Sequence, residues 1–97
     1  MDPSAVVMLI SNGLLKEVFK TVAKNRSVLF KELYQALGKD LGKTKVEEAV
    51  RQLKDADLIK ERVAPIEDFN TYYVTADGLT VEKQLRLAEA RVSADRA

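Results

Sequence analysis

Apolar residues recur at helical spacing through the first quarter of the chain. Val7, Ile10, Leu14, Val18 and Val22 stand three or four residues apart, with Leu15 and Phe19 widening the stripe, which predicts helix over about residues 3–24. Asp2 suits an N-cap and Pro3 the first helical position. Asn12-Gly13 interrupts the stripe, because Gly costs about 1 kcal/mol relative to Ala inside a helix and Asn can cap a new one. One bent helix and two separate pieces both satisfy the spacing.

After the turn Asn25-Arg26-Ser27, the segment Ser27-Val28-Leu29 reads as extended. Leu29, Phe30, Leu33, Tyr34 and Leu37 then predict an amphipathic helix of about two turns, ending before Gly38. A Gly-bounded loop, Gly38 to Gly42, leads to a further helix. There Thr44 and Glu47 have capping-box spacing, and Val46, Ala49, Val50 and Leu53 form the buried face, with a stop near Asp55-Ala56-Asp57. Residues 58–64 and 71–75 have strand character and are joined through a long tip opened by Pro65. Thr75 can cap a final helix in which Val81, Leu85, Ala88 and Val92 repeat in a heptad-like seam flanked by charged residues. A helix pair closed by a hairpin presents one helix on a convex surface, a shape for entering a groove rather than enclosing a small substrate.

Composition narrows the chemistry. With 97 residues and 46% hydrophobic content, the chain supports one domain, residues 1–97, around one modest core. Sixteen Lys plus Arg against fifteen Asp plus Glu give a net charge of +1, so any contact with a polyanion must come from local placement of charge. Cysteine and histidine are both absent, which removes disulfides, thiolate metal sites and the commonest general base. No enzyme, metal or organic cofactor is expected. The apolar run Val6 to Ile10 is far shorter than the ~20 residues of a membrane span, and a soluble, cytoplasmic protein without membrane contact is the expectation.

Two apparent catalytic signals fail on spacing. Gly38-Lys39-Asp40-Leu41-Gly42-Lys43-Thr44 ends like a phosphate-binding loop, but it has three residues between its glycines where that motif needs four, and it follows a helix instead of a strand. Glu47 and Glu48 are adjacent on a helix and point apart, while Glu67 and Asp68 lie on the exposed tip, so neither pair makes an acid and a base. Tyr34, Tyr72 and Tyr73 could stack on bases, although aromatic residues on amphipathic elements more often line a core.

The order of elements resembles the winged-helix variant of the helix-turn-helix, especially small bacterial and archaeal repressor-like domains. Phe30-Lys31-Glu32-Leu33 looks like the start of their second helix, and Val46 through Leu53 followed by Asp57-Leu58-Ile59-Lys60 looks like the recognition helix running into the wing. Tyr72-Tyr73-Val74-Thr75-Ala76-Asp77-Gly78-Leu79 is similar to the wing-exit segment, and the likeness spans about residues 12–90. It implies an α+β, mostly helical fold: a winged helix-turn-helix with a two-stranded wing and a long C-terminal helix. Asp57 stands where these families often have Gly, which leaves the turn into the wing open to another geometry. The tip carries Glu67 and Asp68 where DNA-binding wings usually offer Arg or Lys.

With residues about 100° apart, burial of Val46, Ala49, Val50 and Leu53 turns Thr44, Glu48, Arg51 and Asp55 outward. Lys43, Lys45, Arg51 and Lys54 are matched by Glu47, Glu48, Asp55 and Asp57, so the helix is neutral overall. Arg51 can read guanine and Gln52 adenine, while Lys43, Thr44 and Lys45 can hold a phosphate at the helix start. Lys60 and Arg62, on alternate wing positions, add phosphate contacts. The competing reading is a solvated face with i to i+4 pairs such as Glu47 with Arg51.

Together these features predict a transcriptional regulator that binds double-stranded DNA as a homodimer. The seam Val81, Leu85, Ala88 and Val92 on residues 81–96 would pair with its copy or with Leu9, Leu14 and Val18; alternatively it packs within its own domain. The alternative function is a winged helix without DNA binding that meets a protein partner through its neutral third helix, Ile66 and Phe69 at the wing tip, or the terminal helix.

Overall fold

Asn12 settles how the N-terminal stripe divides. Its side-chain oxygen accepts the Leu15 N–H at 3.2 Å, the N-cap bond of a new helix, so the stripe folds as α1 (Ser4–Ser11) and α2 (Gly13–Asn25). The computed structural model describes the backbone of residues 4–96 and the side chains of residues 4–37 and 42–91. The cap expected at Asp2 and Pro3 lies outside the described residues.

At the end of α2 the Arg26 N–H bonds the Ala23 carbonyl at 3.3 Å, and the chain turns into β1 (Ser27–Leu29). The Glu32 carboxylate then reaches back to the Leu29 N–H at 2.8 Å and fixes the start of α3 (Phe30–Leu41). This helix runs through Gly38 and is twelve residues long, so the expected stop before Gly38 and the loop from Gly38 to Gly42 are both corrected. The break falls at Gly42 alone. Its φ of 85° is one that L side chains rarely adopt, and α4 (Lys43–Asp55) begins at the next residue. Gly42 therefore holds the N-cap position without a side-chain bond, Thr44 is already the second residue of the helix, and the expected Thr44–Glu47 capping box does not form.

Val46, Ala49, Val50 and Leu53 are buried along α4, as their spacing requires. The helix ends in a Schellman motif: the Asp57 N–H bonds the Lys54 carbonyl at 2.9 Å and the Leu58 N–H bonds the Leu53 carbonyl at 3.1 Å. Asp57 takes φ 60°, the left-handed conformation usually given to Gly, so the turn into the wing keeps the geometry that the substitution had left open. The wing follows as β2 (Ile59–Arg62), a single 3₁₀ turn (Glu67–Phe69) and β3 (Thr71–Val74), its strands shorter than the sequence spans. β1 adds a third strand. The sheet order is β1-β3-β2, antiparallel, with Tyr72 paired to Val28 on one side and Glu61 on the other.

The Thr75 hydroxyl accepts the Gly78 N–H at 2.8 Å and caps α5 (Ala76–Arg96), as expected. α2 lies at the centre, packed on α1, α3, α4, α5 and the sheet, and one core cluster runs from Leu9 through Phe19, Leu33 and Leu53 to Leu85. Val81 and Leu85 are buried in that core, which corrects their expected place in an intermolecular seam: pairing them with a copy would require opening the domain. Ala88 is half-buried, and the Val92 side chain lies outside those described. The product is a mostly helical α+β winged helix-turn-helix, with α3 and α4 as the helix pair. Among the described residues no helix is long and apolar enough to cross a membrane.

Candidate nucleic-acid interface

α4 is held by one face and free on the other. Its apolar residues anchor it against α2 and α3, which leaves Thr44, Lys45, Glu48, Arg51, Gln52 and Asp55 exposed. Thr44 and Arg51 line one shallow depression with Glu47 and Glu48, about 360 Å³ in volume. Lys45 and Gln52 line a neighbouring one of about 270 Å³, shared with Asn12, Leu14 and Leu15 from the start of α2. The N-cap residue of the helix is Gly42, which has no side chain to bond the first backbone amides, and a helix start of this kind is suited to an anion.

Charge is distributed less evenly than composition implies. Lys43 is paired with Glu67 of the wing at 2.6 Å and Lys54 with Glu61 of β2 at 3.0 Å. Lys45 and Arg51 make no ion pair among the described residues, and the i to i+4 pair expected between Glu47 and Arg51 is not formed. Glu47 turns toward the wing instead, where its hydrogen bond to Glu67, and secondarily its burial, raise its pKa. Glu67 is lowered by its hydrogen bond to Lys43 and then by the one from Glu47, while Lys43 is raised chiefly by its hydrogen bond to Glu67. The three side chains thus form one electrostatically linked chain between the first turns of α4 and the wing tip.

This cluster closes a cleft of about 200 Å³ between α4 and the wing, lined by Glu47, Arg51, Lys54, Glu61, Glu67 and Tyr72. Phe30 forms part of its foundation. Its buried ring lies edge-on to Tyr72, 6.3 Å between centroids, and the Lys43 ammonium stands 5.9 Å from its centroid, within cation–π range. Burial pushes the Tyr72 phenol well above the usual tyrosine value, and its hydrogen bond to Glu61 adds to the rise. Tyr72 is thus a core residue, whereas Tyr34 and Tyr73 are partly exposed.

Lys60 and Arg62 are exposed on β2, as alternation predicts. Glu61 between them meets Lys54 of α4, so pleating places Lys60 and Arg62 on the opposite face of the sheet from the α4 cluster. The structure therefore brings Thr44, Lys45, Arg51 and Gln52 together, ties Lys43 to the wing, and keeps the two wing cations apart from them. Sequence reasoning did not find the Glu47–Glu67–Lys43 chain, because its members come from elements whose contact has no periodic signature.

A basic rim, also unforeseen, surrounds a depression of about 410 Å³ between α2 and α5. It holds Lys20, Lys24, Arg26 and Arg86. Lys20 is bound to Glu89 and Arg86 to Glu82, and the C-terminal carbonyls of α2 offset much of the remaining positive field. Among the described residues no group of three or more carboxylates comes close enough to share a metal ion.

No protein-family model and no curated protein matches the chain. Among solved structures it is similar to a transcriptional regulator homologue protein from Pyrococcus horikoshii OT3, with a TM-score of 0.73 and 17% sequence identity, covering 95% of this chain and 92% of that chain. At that identity the two chains share a fold, here laid over nearly the whole length of both.

Proposed function

We propose that the chain is a transcriptional regulator that binds duplex DNA as a cytoplasmic homodimer, with α4 in the major groove. The observation that carries this reading is the set of Thr44, Lys45, Arg51 and Gln52, exposed on a helix whose other face is fixed in the core, with Lys45 and Arg51 making no ion pair among the described residues. Arg51 and Gln52 read base edges, while Thr44, Lys45 and the first backbone amides of α4 take a phosphate. Lys60 and Arg62 add wing contacts to the backbone. The fold shared with a transcriptional regulator homologue supports the same reading. Dimer formation draws on apolar side chains that the core leaves outside, namely Val7 and Ile10 on α1 and Leu87 on α5.

The test is binding to random-sequence duplex DNA across a salt series. Each phosphate neutralised contributes about −0.9 to the slope of log K against log salt, so a steep fall in affinity is the expected result. A second reading, a protein-interaction module, is favoured by exposed Val63, Ile66 and Phe69 around the acidic wing tip. Absence of binding at the lowest salt would select it.

A further inference from the structure

We propose that the acidic wing tip is an autoinhibitory latch: Glu67, seated on Lys43, stands in for a DNA phosphate at the start of α4 and must leave before the duplex can dock there. The inference rests on the reading of α4 as the DNA-contacting helix. It adds the regulation of that site by the chain's own wing.

The seating is built by the backbone. Asn70 ties the tip together, its side-chain oxygen accepting the Ala64 N–H at 2.7 Å, its N–H donating to the Glu67 carbonyl at 2.9 Å, and its carbonyl accepting the Phe30 N–H at 2.8 Å. The 3₁₀ turn consequently rests on α3, and Glu67 is delivered to Lys43 at 2.6 Å. On its other side Lys43 is steadied by the Phe30 ring. The Lys54–Glu61 pair repeats the arrangement farther along the same helix, so wing carboxylates hold two of the cations of α4.

A phosphate arriving at the start of α4 would want the same ammonium. It would also meet Glu67 and Glu47 as like charges. The latch is nonetheless displaceable, since the Lys43 and Glu67 side chains are half and more than a third exposed, and ion pairs so open to solvent hold weakly.

The experiment compares wild type, Glu67→Gln, Lys43→Gln and the double variant by fluorescence anisotropy on a random-sequence duplex at low salt, with circular dichroism confirming the fold. Glu17→Gln, which removes one exposed negative charge on α2, controls for net charge. Glu67→Gln is expected to tighten binding about threefold or more, beyond the change from Glu17→Gln, and the gain is expected to vanish when Lys43 is also replaced. Wild-type binding with no gain in Glu67→Gln, or a gain that persists without Lys43, overturns the latch and leaves the DNA reading intact. Failure of every variant to bind overturns the DNA reading and the latch with it.

Discussion

Replacing Gly78 by Ala places a single methyl group against the most crowded backbone junction of the fold. A Cβ there would lie 2.2 Å from the Leu58 carbonyl oxygen and 2.7 Å from Val74 Cγ2, both far inside contact distance. The carbonyl has little freedom to retreat, because it accepts the Thr75 N–H at 3.1 Å, and the Thr75 hydroxyl bonds the adjacent Asp57 carbonyl at 2.7 Å. Helix propensity alone would favour Ala by about 1 kcal/mol. Overpacking of this kind costs roughly 3 kcal/mol, and a displaced hydrogen bond about 1 kcal/mol more. The net loss is about 3 kcal/mol, a large share of the ~5–15 kcal/mol that holds a domain folded. For a chain of this size it lowers Tm by roughly 12–24 °C. Thermal and urea unfolding followed by circular dichroism measure it directly. Gly13→Ala is the control: a Cβ there meets nothing within 4 Å, and the expected effect is between zero and about 1 kcal/mol of stabilisation. A Gly78→Ala variant as stable as wild type would refute the close-packed account of this junction.

Asp57→Gly relieves the positive φ at the end of α4 and is expected to stabilise the fold by about 0.5 kcal/mol in urea titrations, the strain removed exceeding the entropy added to the unfolded chain. Glu47→Gln tests the carboxylate chain through pH. Because the folded pKa of Glu47 is raised, its favourable contribution is present below the ordinary Glu value of about 4.3 and is lost as pH rises through the folded value. The variant is therefore expected to melt higher than wild type at pH 7, with the advantage disappearing below about pH 4; a lower melting temperature at pH 7 would contradict the assignment. Lys45→Ala and Arg51→Ala are expected to weaken duplex binding while leaving the unfolding curve unchanged, since both side chains are exposed. Lys45→Ala should also reduce the salt slope by about 1 per protomer.

Much of the fold was legible in local pattern. The buried face of α4, the extended Ser27–Leu29 segment, the Thr75 cap and the hairpin all follow from periodicity and capping chemistry. The boundary between α3 and α4 was not. Gly38 and Gly42 look alike in sequence, but only Gly42 adopts a conformation that needs Gly, while Gly38 continues a helix at a propensity cost of about 1 kcal/mol. That one-residue break also moved Thr44 inside the helix and removed its capping box. The seam on α5 misled for another reason: a heptad-like stripe does not reveal whether its partner is a copy or the same domain, and here α1 and α2 pack on α5, with Val81 and Leu85 buried in the domain core. The outward residues of α4 were readable from their spacing, but the capture of Lys43 by Glu67 depends on how the wing folds back onto α3.

The Leu58–Thr75–Gly78 junction leaves the molecule no slack between its long terminal helix and its exposed one. The last turn of α4, the first strand of the hairpin and the first turn of α5 converge on neighbouring carbonyls, so α5 works as a lever whose fulcrum is fixed to α4. In any symmetric pair held through α5, a change in the crossing angle of the two levers would swing both exposed helices by a matching arc. The span between them, and hence the half-site spacing that such a pair could grip, would be set by an angle at the far end of the molecule.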